Sequence, residues 1–252
     1  MAERTLVYFV ADVHLGLATA DPAEREQRFL DFLSTVPDNA LALYLLGDIW
    51  DFWYEYHDVI PREGARVVAR LIALMDAGVT VYFFPGNHDI WCYSFFESIG
   101  MIKCTQPQLL EIGGKSFCLG HGDALGGARP GYKFMLKVFN SRITQGLFST
   151  LHPRIAFALA RKWSGGKRSK RPAYHFRGEQ EPLYQFALEQ SSQVQVDYFI
   201  FGHFHDAVDL ELPTGARLIV LKDWLSGGTP HARFDLSDGS LDIEPSSNYP
   251  LP

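Results

Sequence analysis

Apolar residues in the first half of the chain alternate between short continuous runs and stretches with helical spacing. The continuous runs predict strands covered on both faces at 5–11, 41–47 and 79–84. A helix is predicted over about 22–36, because Asp21, Pro22 and Glu24 supply an N-cap, a first-turn proline and an acid at the third position. A second helix is predicted over about 61–77. This alternation predicts a largely parallel sheet with helices on its faces.

The pattern changes in the second half of the chain. The predicted elements are a hairpin at 109–112 and 116–119, helical structure over 131–163, a loop at 163–172, a helix near 181–191, a strand at 198–201 and C-terminal antiparallel hairpins. We expect one α/β domain over residues 1–252, with a helical insertion near 126–178.

The charge of the chain is distributed unevenly. Between Ala124 and Gly178 the sequence has twelve Lys or Arg residues and no acid, although the whole chain has 23 basic and 29 acidic residues. The remainder therefore has 11 basic and 29 acidic residues. A one-signed segment of this length indicates an anionic partner, because solvated protein surfaces usually mix charges.

Polar residues of the types that bind metals follow the predicted strands. They are Asp12 and His14 after the first strand, Asp48 after the second, Asn87 after the third, His121 after the hairpin, and His203 and His205 after the late strand. The carboxyl ends of strands in such sheets converge on one edge, so these loops should meet. Carboxylate, carboxamide and imidazole groups without a thiolate suit Mn²⁺, Fe²⁺, Co²⁺ or Zn²⁺. Two such ions about 3.5–4 Å apart can clamp a phosphate.

These residues resemble the pattern of calcineurin-like metallophosphoesterases, which is D-x-H, G-D-x-x-D, G-N-H-[DE], G-H and G-H-x-H. The chain has all five blocks in this order between residues 12 and 205. A single D-x-H is common by chance, whereas five ordered blocks at predicted strand ends are highly specific. The resemblance implies an α/β fold, layered as an α/β/β/α sandwich with a helical lid insertion.

The resemblance also implies a role for each residue. One metal would take Asp12, His14 and His205, the other would take Asn87, His121 and His203, and Asp48 would bridge the two. His88 would contact the scissile phosphate and stabilise or protonate the leaving oxygen, while Asp51 would orient its ring. Such a pair makes chemical sense, because a carboxylate fixes the tautomer of an imidazole and supports its charged form.

Longer segments are similar to the UDP-2,3-diacylglucosamine pyrophosphatases of lipid A synthesis, in the branch with histidine after the G-N. These segments are GDIWDFWYEYHDVIPR, FFPGNHDIW, GHGDALGGARPGYKF and DYFIFGHFH. The similarity implies hydrolysis of UDP-2,3-diacylglucosamine to UMP and 2,3-diacylglucosamine 1-phosphate, usually with Mn²⁺, under a lid that holds the acyl chains. Phe204 and Lys222 depart from that branch, which usually has a basic residue and a glycine at these positions.

The insertion at 126–178 corresponds to this lid. Its basic and apolar residues are interspersed, as in helices that bind an anionic lipid or membrane surface. The candidate substrate-binding residues are Asn87, His88, Tyr132, Lys133, Lys137, Arg142 and Arg161. We expect a cytoplasmic protein that lies peripherally on the inner membrane without an obligate protein partner, since no apolar run approaches the roughly 20 residues of a spanning helix.

Two alternative functions remain open from the sequence. An enzyme of the same fold could act on nucleic acid, because a basic, aromatic stretch can bind phosphates and stack bases. A non-catalytic scaffold could keep the fold without metals, although the complete ligand set and His88 argue against it. The aromatic cluster formed by Trp50, Phe52, Trp53, Tyr54 and Tyr56 could be core packing or part of a substrate groove.

Overall fold

The computed structural model describes residues 3–19, 21–128, 130–168 and 174–245, with the backbone alone of residues 161 and 163–168. The elements of the first half are β1 (Leu6–Val10), α1 (Pro22–Thr35), β2 (Ala42–Leu46), α2 (Ala65–Asp76), β3 (Thr80–Phe84), α3 (Phe95–Ser98), β4 (Ile102–Lys103), β5 (Gln108–Ile112) and β6 (Lys115–Leu119). Those of the second half are α4 (Pro130–Phe139), α5 (Arg142–Ser149), α6 (Pro153–Arg168), a 3₁₀ helix (Gly178–Gln180), α7 (Pro182–Gln193), β7 (Tyr198–Phe201), β8 (Val208–Glu211), β9 (Arg217–Val220), β10 (His231–Asp235) and β11 (Ser240–Glu244).

The strands form two sheets. The first has the order β11-β10-β1-β2-β3-β4, in which β1 to β4 are parallel and β10 and β11 are antiparallel to their neighbours. The second has the order β5-β6-β7-β9-β8, with a parallel centre of β6, β7 and β9 between antiparallel edges. Both predicted hairpin regions are confirmed.

Three hydrophobic clusters separate four layers. Residues of α1 and α2, such as Phe29 and Leu71, pack against the first sheet. Phe9 of β1 and Phe117 of β6 lie in the cluster between the sheets, with ring centroids 5.7 Å apart. Leu183 of α7 packs against the outer face of the second sheet. The α/β/β/α sandwich is therefore confirmed. The prediction of helices on both faces of the first sheet was wrong, because the second sheet buries its inner face.

The insertion contains three helices, α4, α5 and α6, between β6 and α7. The loop predicted at 163–172 was wrong for residues 163–168, which continue α6. The two glycines at 165 and 166 each weaken a helix by about 1 kcal/mol but do not forbid helical backbone, and no proline follows until Pro172. Residues 169–172 lie outside the described residues. Among the described helices, none combines the length and apolar character that crossing a membrane requires.

The backbone of the loops after the parallel strands is unusual. Seven described residues other than glycine have a positive φ, and five of them are proposed ligands: Asp12, His14, Asp48, His203 and His205. This region of backbone conformation costs of order 1–3 kcal/mol per residue and persists only where the surrounding structure enforces it. Here the amides of Asp12 and His14 donate to the carbonyls of Gly47 and Asp48, at 3.1 and 2.9 Å. The first two loops thus hold each other in this conformation.

Two glycines allow the loops to approach the proposed ligands closely. A Cβ atom added at Gly202 would lie 2.3 Å from Oδ2 of Asp12, and one added at Gly86 would lie 2.2 Å from Oδ1 of Asp48. Both distances are far shorter than any contact between a carbon and an oxygen atom. These positions are therefore glycine because a carboxylate occupies the space of the side chain.

We predict that Gly202→Ala displaces Asp12 and weakens Mn²⁺ binding by at least about tenfold, the scale seen when a metal ligand loses its support. The matched control is Gly146→Ala in α5, where an added Cβ meets nothing within 4 Å. Isothermal titration with Mn²⁺ would measure both affinities. Equal affinities for the two variants would contradict this account of Gly202.

Candidate metal centre

The structure brings the proposed ligands together at the carboxyl ends of the parallel strands. Three overlapping groups have ligand atoms within 4.8 Å of one another: Asp12, His14 and His205; Asp12, Asp48 and His121; and His14, Asp51 and His88. The groups share members, so they form one centre between the two sheets.

The two carboxylate oxygens of Asp12 have different surroundings. Its Oδ2 accepts a hydrogen bond from the amide of His203 at 2.7 Å. Its Oδ1 is buried and receives no hydrogen bond from the described residues. That atom lies 3.6 Å from Nε2 of His14 and 3.5 Å from Nε2 of His205. A buried carboxylate oxygen facing two imidazole nitrogens fits a divalent cation, which would satisfy all three atoms.

Asp48 lies between the two halves of the centre. Its Oδ2 is 4.0 Å from Nε2 of His14 and 3.4 Å from Nε2 of His121. Its Oδ1 accepts a hydrogen bond from the amide of His88 at 2.8 Å, which fixes the carboxylate. This oxygen therefore faces His14, from the group of Asp12 and His205, and His121, from the group of Asn87 and His203. A ligand that bridges two metal ions would need such a position.

His121 and Asn87 present their ligand atoms to the same place. Nδ1 of His121 is 2.9 Å from the carbonyl of Leu46, so this nitrogen carries the proton and donates it. Nε2 of His121 lies 3.3 Å from Oδ1 of Asn87. Both atoms can act as metal ligands. A divalent ion bound by Nε2 would take the place of a proton on that nitrogen, so metal and proton compete for it. His203 completes this half, with its ring 5.1 Å from that of His121.

The orientation of the His205 ring depends on Asp223, a residue outside the sequence motifs. Oδ2 of Asp223 lies 2.9 Å from Nδ1 of His205, which directs Nε2 of the same ring toward Asp12. Such a carboxylate fixes the tautomer of a metal-binding histidine. The available signal was position: Asp223 closely follows β9, a parallel strand of the second sheet, as the proposed ligands follow theirs.

His88 and Asp51 are adjacent, as predicted, but their main contact differs from the expected one. Nδ1 of His88 lies 2.8 Å from the backbone carbonyl of Asp51 and 3.4 Å from its carboxylate Oδ1. Nδ1 therefore carries a proton in either protonation state, because a carbonyl only accepts. The carbonyl orients the ring, and the carboxylate supports its charged form.

The clustered charges set the protonation of the centre. Burial alone would raise the pKa of Asp12, but the nearby His205 and His14 lower it to about 2. Burial is likewise outweighed at Asp48, where His121 and His88 hold the pKa well below its usual range. Burial, assisted by the neighbouring His121, lowers the pKa of His203 to about 4. Two ionised carboxylates and a neutral histidine at neutral pH are in the forms that bind a metal.

Asp89 and Asp123, which directly follow motif residues, support the proposed ligand loops. The carboxylate of Asp89 is fully buried and accepts hydrogen bonds from the amides of Gly86, Asp48, Ile49 and Trp50. It thereby joins the second and third loops. Asp123 accepts a hydrogen bond from Tyr132 of α4 at 3.1 Å and connects the insertion to the His121 loop.

A largely apolar cavity of about 300 Å³ adjoins the centre. Asn87 and His88 lie at the centre. The insertion helices contribute Phe139, Thr144, Phe148, Leu159 and Ala160 to the wall, and the loops after β2 and β3 contribute Asp51, Phe52, Trp53, Ile90 and Trp91. The cavity is thus continuous from the proposed catalytic histidine to the inner surface of the insertion.

Both interpretations of the aromatic cluster hold. Trp50 and Trp53 are buried in the core, and Phe52 and Trp53 line the cavity. The hydroxyls of Tyr54 and Tyr56 donate to the carbonyls of Gln145 and Leu151 in the insertion, at 2.8 and 3.2 Å. The cluster therefore forms part of the core, part of the cavity wall and part of the support for the insertion.

The predicted substrate-binding residues of the insertion are dispersed. Tyr132 is partly buried near the centre, with its ring 6.4 Å from that of His203. Lys133, Lys137 and Arg142 have exposed side chains and do not line the cavity just described. The side chain of Arg161 lies outside the described part of the chain. Contact of these four basic residues with a substrate stays a prediction.

Comparisons with known proteins identify the family of the chain. The family model of the calcineurin-like phosphoesterases matches residues 5–207. A UDP-2,3-diacylglucosamine hydrolase from Porphyromonas gingivalis is 35% identical, covering 88% of this chain and 91% of the relative, and one from Proteus mirabilis is 32% identical, covering 78% and 80%. A dimetal phosphatase from Danio rerio has the same fold, with a TM-score of 0.52, 14% identity and 96% coverage of both chains. The chain belongs to the calcineurin-like phosphoesterase family.

Proposed function

We propose that the protein hydrolyses the pyrophosphate of UDP-2,3-diacylglucosamine to UMP and 2,3-diacylglucosamine 1-phosphate, a step of lipid A biosynthesis. The observation that carries the proposal is that Asn87 and His88 belong both to the candidate metal centre and to the wall of the apolar cavity. A substrate with a phosphoester next to acyl chains fits this arrangement. The names of the two curated relatives support the same substrate.

Two divalent ions are the proposed cofactors, with Mn²⁺ as the expected metal. Asp12, His14 and His205 would hold one ion, Asn87, His121 and His203 the other, and Asp48 both. This assignment is supported by the Oδ1 atom of Asp12, which is buried and accepts no hydrogen bond from the described residues. When bound, such ions neutralise phosphate charge and activate water at neutral pH.

His88 is proposed to act on the leaving oxygen. Its Nδ1 donates to the carbonyl of Asp51, so a proton that the ring transfers comes from Nε2. The carboxylate of Asp51, 3.4 Å from Nδ1, favours the charged ring that can give up this proton. His88 lines the cavity proposed for the acyl chains, so the protonated leaving group is the acylated sugar 1-phosphate. The water oxygen then becomes part of UMP.

The lid is proposed to rest on the anionic cytoplasmic face of the inner membrane. Phe134, Ile143 and Leu147 are 69%, 78% and 67% exposed. Lys133, Lys137, Arg142, Arg154 and Lys162 are exposed on the three helices of the insertion. Exposed apolar side chains among basic ones are typical of helices that bind anionic bilayers. This placement would bring the cavity close to its lipid substrate in a cytoplasmic, peripheral protein.

We predict that the Mn²⁺-loaded protein releases UMP from UDP-2,3-diacylglucosamine and that Asp48→Asn lowers the rate at least about 100-fold, because it removes a charge essential to the centre. The control is Asp58→Asn, since the Asp58 carboxylate is 87% exposed and should be dispensable. Chromatographic detection of UMP would measure both rates. Cleavage of single-stranded DNA without release of UMP would favour the nucleic-acid alternative, and an inactive protein that binds no metal would favour a scaffold.

We further predict that hydrolysis in ¹⁸O-labelled water places the label in UMP. The reason is that His88 protonates the leaving group on the acyl side, so water attacks the phosphorus that carries uridine. Mass spectrometry of the two products would locate the label. Label in the sugar 1-phosphate would contradict the proposed role of His88.

For the membrane surface, we predict that the double variant Ile143→Ser/Leu147→Ser binds phosphatidylglycerol vesicles about tenfold more weakly, because each apolar side chain loses its gain from burial in the bilayer. Val194→Ser provides the control, since Val194 is exposed at the C-terminal end of α7, outside the lid. Vesicle sedimentation would measure binding. Equal binding by the two variants would exclude this face of the lid as the membrane contact.

A further inference from the structure

The metal centre has a second aromatic border that the cavity does not include. Successive ring centroids lie 6.4 Å apart from Tyr132 to His203, 5.3 Å from His203 to Phe204 and 5.6 Å from Phe204 to Tyr174. We call these four residues the aromatic run. It includes the proposed metal ligand His203 and ends at Tyr174, which is 42% exposed. The run therefore leads from the centre to solvent.

The position of Phe204 is fixed by its neighbours. It stands between His203 and His205, both of which have a positive φ and a proposed place in the centre. Phe176 also contacts the Phe204 ring, with centroids 5.8 Å apart, and the amide of Phe176 donates to the carboxylate of Asp206 at 2.9 Å. A ring held in this way is close to any phosphate that the centre binds.

Tyr174 is held from its polar end. Its hydroxyl donates to the buried carboxylate of Glu181, which also pairs with the guanidinium of Arg177 at 2.9 Å. The carboxylate of Glu181 thus neutralises the charge of Arg177 beside the run. A neutral, partly exposed aromatic surface suits the face of a nucleobase better than it suits a phosphate.

We propose that the rings of Phe204 and Tyr174 form the subsite for the uracil of the substrate. This inference rests on the proposed function and extends it, because the acyl chains occupy the cavity at Asn87 and His88 and the uridine must leave the centre along another border. Phe204 and Tyr174 are not among the residues that line the cavity. They supply the stacking surface within two ring spacings of His203.

The test compares two probes that differ only in the base, UMP and ribose 5-phosphate, by isothermal titration into the Mn²⁺-loaded protein. In Phe204→Leu, which keeps an apolar side chain but removes the ring, we expect the affinity for UMP to fall about tenfold. The affinity for ribose 5-phosphate should stay unchanged. Phe204→Tyr keeps a ring and should restore UMP binding.

Tyr174→Leu provides a second test farther from the proposed ligands, and Tyr174→Phe is its control because it loses only the hydroxyl. The same selective loss for UMP is expected in Tyr174→Leu. If both probes weaken equally, or if neither weakens, in both leucine variants, the two rings do not form a base subsite. Selective UMP binding by a protein that releases no UMP from the lipid would overturn the proposed function and leave the subsite standing, and the reverse result would overturn only the subsite.

Discussion

The fold depends on the buried carboxylate of Asp12, which joins loops from both sheets. Its Oδ2 accepts from the amide of His203, and its backbone bonds to Gly47 and to Trp224 connect it to the loops after β2 and β9. Its Oδ1 is left facing His14 and His205. A buried ionised group is costly unless it is paired, so an oxygen in this position suits a divalent cation held together with the two histidines. The same residue thus joins the loops of both sheets and offers a ligand atom at their meeting point.

The centre is built at a cost to the local backbone. Positive φ values at Asp12, Asp48 and His203 are compensated by hydrogen bonds between loops and by the carboxylate of Asp89, which accepts from four amides. Most of these bonds join loops of the first sheet, and the bond from the amide of His203 to Asp12 connects them to the second sheet. The packing of the loops against one another therefore maintains the strained backbone, as is common where a scaffold holds reactive groups in place.

The parallel strands and the convergence of the loops that follow them could be predicted from the sequence, because apolar runs and ordered motifs are local signals. The burial of the first sheet under a second one could not be derived from periodicity alone and came from the resemblance. Asp223 was missed because its role depends on how β9 lies beside β7. The continuation of α6 was missed because the two glycines at 165 and 166 favour a loop locally. Each weakens a helix by only about 1 kcal/mol, so the helix can pass through them.

For the insertion, too, the sequence predicted the composition but not the orientation of the side chains. Its basic and apolar composition was visible in the sequence, but composition does not say which side chains point inward. The structure places Phe139, Phe148 and Leu159 at the cavity and leaves Lys133, Lys137 and Arg142 exposed.

The proposed metal centre can be examined by anomalous diffraction at the manganese edge, from crystals of the protein grown with Mn²⁺. We expect two peaks, one bounded by Asp12, His14 and His205 and the other by Asn87, His121 and His203, with Asp48 between them. A single peak, or peaks away from these residues, would contradict the proposed centre.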